Sequence, residues 1–184
     1  MDVTRTSEKD MTPELDREIQ QLQHEAFPRA VEFAHQRWWH TPPSDDELWF
    51  NARHDGRLVG SVRLVRRAVR TPDEQRIVGG IANVCSHPQA RGLGAAKACM
   101  TAAQEYIARG GEIDFGVLFC GDGVRQFYEK LGWKAVDNEV LVGDPPVRHK
   151  YNEPAHHGFV MVYPGRRCMS QWPAGTVNLN GQDW

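Results

Sequence analysis

Long apolar runs are absent from this sequence. No uninterrupted stretch approaches the roughly 20 residues with which a helix crosses a bilayer. That excludes a membrane protein, and a hydrophobic share of 40% with a mean hydropathy of −0.57 describes a soluble globular chain. At the N-terminus, Met1-Asp2-Val3-Thr4-Arg5 lacks the basic segment and apolar core of a secretion signal, so the expected compartment is the cytoplasm. Cysteine is sparse. The four present, Cys85, Cys99, Cys120 and Cys168, contain no two-residue-gap pair, which argues against a zinc site and against a disulfide framework. They read as free thiols, and no metal is expected. An excess of one charge is lacking too: a formal net charge of −2 gives no general attraction for nucleic acid. The one basic cluster, Arg63, Arg66, Arg67 and Arg70, falls on or near a strand and suits either a solvated strand face or a site for an anionic group.

Repeats and low-complexity blocks are missing as well, and 184 residues fit a single domain spanning 1–184. Apolar Leu15, Ile19, Leu22 and Ala26, three and four apart, predict an amphipathic helix over 13–26 with Thr12 as N-cap. A second helix is expected from Pro28 to about His40, ending before Pro42-Pro43. Residues 48–52 and 58–65 flank His54-Asp55-Gly56-Arg57, where Asp-Gly predicts a hairpin turn. After another turn at Thr71-Pro72-Asp73-Glu74, Ile77 to Cys85 reads as a buried strand. From Leu93 the apolar positions Ala96, Met100, Ala103 and Ile107 predict a helix stopped at Gly110-Gly111. A strand over 113–120, a short helix over 122–131 and a late strand over 159–163 follow. The expected class is mixed α/β (α+β), with helices, a meander, strand-helix-strand-helix and a last strand.

The most informative stretch is Gln89-Ala90-Arg91-Gly92-Leu93-Gly94-Ala95, between a buried strand ending near Val84 and a helix. First-turn amides have no helical partners, the helix dipole adds partial positive charge, and glycine lets a ligand approach without a side chain intervening. Such a loop binds a phosphate. It resembles the coenzyme A signature of the Gcn5-related N-acetyltransferase (GNAT) superfamily, with Gln89, Gly92 and Gly94 matching and Val84 at the strand end. The resemblance implies a GNAT fold, a central mixed, mostly antiparallel sheet, splayed after the Val84 strand and flanked by helices. It implies acetyl-CoA as cofactor, its pyrophosphate on Gln89, Ala90, Arg91, Gly92, Leu93, Gly94 and Ala95, and its pantetheine or acetyl carbonyl bonded by the backbone near Val84 and Cys85. Transfer in that family is direct, so Cys85 and Cys120 are expected to be buried structural thiols.

When an amine attacks a thioester, the departing sulfur needs a proton, and a phenol at the start of a helix can supply it. Tyr128, ahead of Glu129-Lys130-Leu131-Gly132-Trp133, stands where the superfamily carries such a tyrosine, which implies the catalytic general acid. Many relatives deprotonate the amine with a glutamate on the Val84 strand. Here Gly80 stands near that place, and Glu32, His87, Asp114, Asp183, the carboxylate of Trp184 and a water chain through Asn83 or Ser86 remain as alternatives.

The chain also resembles the aminoglycoside 2′-N-acetyltransferases, through Gln171-Trp172-Pro173-Ala174-Gly175 and the ending Gln182-Asp183-Trp184. This implies a tail, about 164–184, folding toward the substrate site, with Asp183 and Trp184 as substrate-binding residues; Glu32 and Trp38 are further substrate-binding candidates. Trp38, Trp39 and His40 suit either a sugar-stacking wall or core packing; His156-His157 reads as loop. The expected partner is a small amino-sugar antibiotic acetylated on its 2′-amino group, with resistance as the outcome. Gly80 and the arginines favour kasugamycin, which has fewer amines and an acidic group. A peptide or protein N-acetyltransferase and a non-catalytic acetyl-CoA-sensing module are the alternatives. Dimers are common in the superfamily, so a homodimer is expected among the partners, with no nucleic acid and no membrane.

Overall fold

The computed structural model describes residues 1–28, 47–110, 112–149 and 158–184. The second helix expected from Pro28 to about His40, with Glu32, Trp38, Trp39 and His40, lies outside the described residues, as does His156-His157. The chain forms two compact units: Met1–Leu64 with Ala82–Ala103, and Val65–Ile81 with Gln104–Trp184. No helix among the described residues is long and apolar enough to cross a membrane.

The first unit opens with β1 (Asp2–Ser7), antiparallel to β2 (Glu47–His54) from Asp2↔Arg53 to Ser7↔Leu48. Between them in sequence stands α1 (Pro13–Ala26), capped where expected: the Thr12 hydroxyl accepts from the Leu15 amide at 3.2 Å. Asp55 and Gly56, at φ 48° and 77°, make the left-handed turn that joins β2 to β3 (Arg57–Arg70). The α1 stripe buries Ile19 and Leu22 against Trp49, Leu58 and Cys85, each such side chain contributing about 1.5–3 kcal/mol. An ion pair from Arg53 to Glu18 fastens the hairpin to α1. Arg63 is buried, and its guanidinium donates to Glu47 at 2.7 Å. That corrects the expectation of a solvated strand face at this position, because a charge so placed stays only when paired.

β4 (Gln75–Ser86) and β3 run through both units. α2 (Ala95–Glu105) follows the loop and ends in a π turn, Tyr106–Gly110; its start lies two residues beyond Leu93, which is 53% exposed. In the second unit come β5 (Phe115–Gly121), α3 (Asp122–Lys130), β6 (Lys134–Val136), β7 (Val140–Val142), β8 (Val147–Arg148), β9 (Gly158–Pro164) and β10 (Val177–Asn178). Strand neighbours there run β6-β9-β5-β4-β3-β10-β7-β8. β4 and β5 are parallel from Val78↔Phe115 to Ile81↔Leu118, while β9 is antiparallel to β5. The class is mixed α/β, as expected. Gly116 is needed for close packing, since a Cβ there would stand 2.8 Å from the Trp133 ring.

β10 was not foreseen. It lies parallel to β7 and meets β3 at Asn178↔Arg70, so part of the tail is a strand of the sheet. Just before it, Trp172 donates to Asn138 at 2.7 Å and stands edge-on to Phe115, while the Asn138 amide donates to the carbonyls of Pro173 and Gly175. These four contacts fix the segment that sequence could only describe as tryptophan-rich.

Candidate active site

The loop after β4 is held by short-range hydrogen bonds. Pro88–Ala90 makes a short 3-10 turn, and the Gln89 amide donates to His87 Nδ1 at 3.1 Å. The amides of Ala90, Arg91 and Leu93 are spent on the carbonyls of His87, Pro88 and Ala90. The first helical bond is Ala98 to the Gly94 carbonyl at 2.8 Å. This leaves the amides around Gly92, Gly94 and the first turn of α2 to face a ligand. Gly92 and Gly94 have φ of 86° and 82°, and a Cβ on either would meet nothing within 4 Å. Their need for glycine is the left-handed backbone plus open approach, which suits a pyrophosphate. Ala90 and Ala95 point inward at 5% and 1% exposure, whereas Gln89, Arg91, Gly92, Leu93 and Gly94 are exposed. Behind the loop, Gly60 lets α2 sit on β3, since a Cβ there would be 2.9 Å from Ala95 Cβ.

Asn83, inside β4, has a left-handed backbone at φ 53°, and its buried Oδ1 has no hydrogen-bond partner among the described residues. His87, a candidate base from sequence, is already engaged: Nδ1 accepts from Gln89 and Nε2 stands 2.6 Å from Glu25. Asp114 is another candidate that the structure assigns elsewhere. Its buried carboxylate takes Arg166 at 2.7 Å, Arg167 at 3.1 Å and the Ile77 amide at 2.9 Å. Burial opposes its charge, but those hydrogen bonds hold its pKa below the usual carboxylate value.

In the second unit the space beside Gly80 is occupied by Trp184. A Cβ on Gly80 would overlap the indole, which is only 8% exposed. Phe119 lies 5.7 Å from the same ring, and the Arg67 guanidinium sits over it at 5.4 Å. Arg67 also donates to the Gln182 carbonyl. Asp183 Oδ2 is 3.0 Å from His149 Nε2, and the imidazole stacks on Phe119 at 4.3 Å. His149 is 2% exposed, the Asp183 side chain 31%. Sequence spacing held no signal for His149, which stands between a two-residue strand and a stretch outside the described residues.

Tyr128 is buried at 7% exposure, edge-on to Phe127 at 5.1 Å. It stands in the last turn of α3, where its carbonyl accepts from Leu131 and Trp133, and not at a helix start as expected. Burial, with the Cys99 charge next, pushes the Cys85 thiol up to about 12, and burial pushes Cys120 up to about 11. Neither is a nucleophile at neutral pH.

The family model described as an acetyltransferase (GNAT) domain matches residues 9–136. The chain belongs to that family. It is an N-acetyltransferase of the GNAT type whose acyl donor is acetyl-CoA, and the open glycine cradle fits the donor's pyrophosphate. The solved structures it resembles share the fold. An acyl-CoA N-acyltransferase from Pseudomonas aeruginosa is 21% identical, with a TM-score of 0.63 over 91% of this chain and 99% of that one. ElaA of Escherichia coli is 16% identical at 0.63 over 88% and 97%. The GNAT family N-acetyltransferase YhbS of Escherichia coli, solved in complex with CoA, is 16% identical at 0.63 over 96% and 89%. No curated protein matches the chain by sequence.

Proposed function

We propose that the protein acetylates the 2′-amino group of an aminoglycoside-type antibiotic, with kasugamycin the favoured acceptor, and thereby confers resistance by removing a cation the drug needs. The observation that carries this reading is the docked tail, where Trp184 packs on Gly80 under the Arg67 guanidinium and the neighbouring Asp183 meets His149. A carboxylate offers a partner for an ammonium group, and an arginine offers one for an acidic substituent. An acceptor with one sign of charge only would leave half of this set unused. The tail pieces Gln171–Gly175 and Gln182–Trp184 resemble those of the aminoglycoside 2′-N-acetyltransferases.

In this function the amides around Gly92, Gly94 and Ala95, within the Gln89–Ala95 loop, hold the pyrophosphate, and the backbone at Val84 and Cys85 holds the pantetheine or acetyl carbonyl. Bound acetyl-CoA supplies an activated thioester. Tyr128 gives a proton to the leaving sulfur as general acid.

Release of free CoA thiol tests the function, with kasugamycin, several conventional aminoglycosides and a peptide pool offered one at a time. Release with an antibiotic, and one added acetyl group by mass on its 2′-amine, is the expected result. Release with peptides alone would refute the antibiotic and favour a peptide acetyltransferase. The thiols of the protein contribute background, most of all exposed Cys168, so the assay is read against a control without acceptor.

A further inference from the structure

His87 is tied in four places where β4 gives way to the glycine loop. Its amide donates to the Val59 carbonyl of β3 at 2.9 Å, and its own carbonyl accepts from the Ala90 amide at 2.9 Å. Its imidazole bridges two elements: Nδ1 faces the Gln89 amide at 3.1 Å, and Nε2 stands 2.6 Å from Glu25, the penultimate residue of α1. A backbone amide can only donate, so Nδ1 is the acceptor and the ring proton sits on Nε2, directed at the Glu25 carboxylate. All of these residues belong to the first compact unit, together with Gly92, Gly94 and Ala95. We propose that His87, held by Glu25, is a positioning residue for acetyl-CoA: its neutral imidazole caps the first turn of the loop and so sets the amides around Gly92, Gly94 and Ala95 toward the pyrophosphate. This role rests on the loop holding the donor's pyrophosphate, as in the function above, and is independent of which amine is acetylated.

The turns of the loop are chained. His87 caps Pro88–Ala90, the Arg91 amide closes on the Pro88 carbonyl and the Leu93 amide on that of Ala90, so Gly92 and Gly94 are carried by a series of bonds that begins at His87. The other end of the clamp is firm. Ile19 and Leu22 hold α1 in the core, Glu18 holds it to Arg53, and Glu25 also accepts from the Gln21 amide group at 3.0 Å. The side chains of His87 and Glu25 are 13% and 33% exposed, so water reaches the pair. They line a cavity of about 210 Å³ between α1 and the start of β3, whose other charged groups are Glu18 and Arg57.

This arrangement works in one protonation state of the ring. With a lone pair on Nδ1 the imidazole accepts from Gln89 and donates to Glu25 at the same time. A proton added at Nδ1 sets one N–H against another, so the cap is lost while the bond to Glu25 persists. Acid should therefore loosen the loop through a residue that touches neither the donor nor the acceptor.

Calorimetric binding of dephospho-CoA to the full chain tests this role, because that ligand keeps the pyrophosphate and lacks the titrating 3′-phosphate. Loss of an N-cap is worth about 2–30-fold in an equilibrium constant. At neutral pH His87→Leu should bind at least about fivefold more weakly than wild type, whereas His87→Asn, which can cap the amide two residues on, should stay within about twofold. Glu25→Leu should weaken binding about threefold, and Glu25→Gln, which keeps an acceptor for the Nε2–H, should restore it. Between about pH 7.5 and 5.5, the range in which imidazoles take up a proton, wild type should lose at least about threefold more affinity than His87→Asn; every other titrating group is common to the two chains. Circular dichroism shows whether each variant is folded, and if His87→Leu is not, the pH comparison of wild type with His87→Asn decides alone. Parallel pH curves for those two chains, or a folded His87→Leu or Glu25→Leu that binds as tightly as wild type, overturn the role. Gly94→Ala separates the two layers: if it binds like wild type, the loop is not the pyrophosphate site and the role of His87 falls with it, whereas a weakened Gly94→Ala beside unmoved His87 variants removes only the role.

Discussion

Replacing Gly80 by alanine puts a methyl group inside the volume of the Trp184 indole, and two responses then compete. Holding the ring in place against the methyl costs about 1–3 kcal/mol, the usual range for overpacking. Releasing the tail exposes roughly 150–250 Å² of indole, or ~4–6 kcal/mol at about 25 cal/mol per Å². Release also loses the hydrogen bonds of Gln182 and Asp183, about 1 kcal/mol each. Against that, freeing Gln182, Asp183 and Trp184 returns about 1–2 kcal/mol of backbone entropy per residue, which leaves release costing about 2–3 kcal/mol. The two routes are of equal size, so Gly80→Ala should destabilise by about 2 kcal/mol, a fall in Tm of roughly 4–8 °C for a chain of this length. Thermal unfolding measures the fall, and a red shift of tryptophan emission reports any release. The decisive control is the same substitution in a Trp184→Ala background. There the penalty should shrink below about 0.5 kcal/mol, because the two positions couple only through their contact. An equal drop in both backgrounds, or none in the first, would refute the packing of Trp184 on Gly80.

Tyr128→Phe should reduce turnover about 10–100-fold while KM for acetyl-CoA stays within about twofold; unchanged turnover removes the phenol from the chemistry. Gly94→Ala forces a side chain onto a backbone at φ 82°, a strain of about 1–2 kcal/mol. It should weaken CoA binding by at least about fivefold in calorimetry with little effect on rate at saturation, and undiminished affinity would count against the cradle. Asp114 is depressed by its arginine and amide hydrogen bonds in spite of burial. A carboxyl lowered on folding contributes stability that is present above its unfolded value of about 4 and is lost as pH falls through the folded value. Asp114→Asn should accordingly be less stable than wild type at pH 7 and approach it below about pH 4, as read by denaturant unfolding across pH; a gap that stays constant would show that the charge is not what stabilises.

Local chemistry makes much of the frame readable in the sequence. Thr12 before an apolar stripe, Asp55-Gly56 between alternating strands, and Gly92 and Gly94 between a strand and a helix each express a short-range preference: a cap, a left-handed turn, a glycine-only backbone. Those features depend on neighbours within a few residues, so one sequence suffices to see them, and the glycine loop after β4 was legible for that reason. Segments whose order comes from distant partners were not. Val177–Asn178 is too short to show a strand period and becomes β10 only because β7 and β3 supply its hydrogen bonds. From sequence Arg63 suits either a solvated strand face or an anion site, and only the fold sets Glu47 beside it. The absence of a carboxylate at Gly80 was visible in the sequence, but its physical reason was not, since that reason is an indole ring more than one hundred residues away. The same holds for His149 and Asp183, 34 residues apart: spacing carries no sign of their pairing, and only the docking of the tail brings the carboxylate and the imidazole within a hydrogen bond.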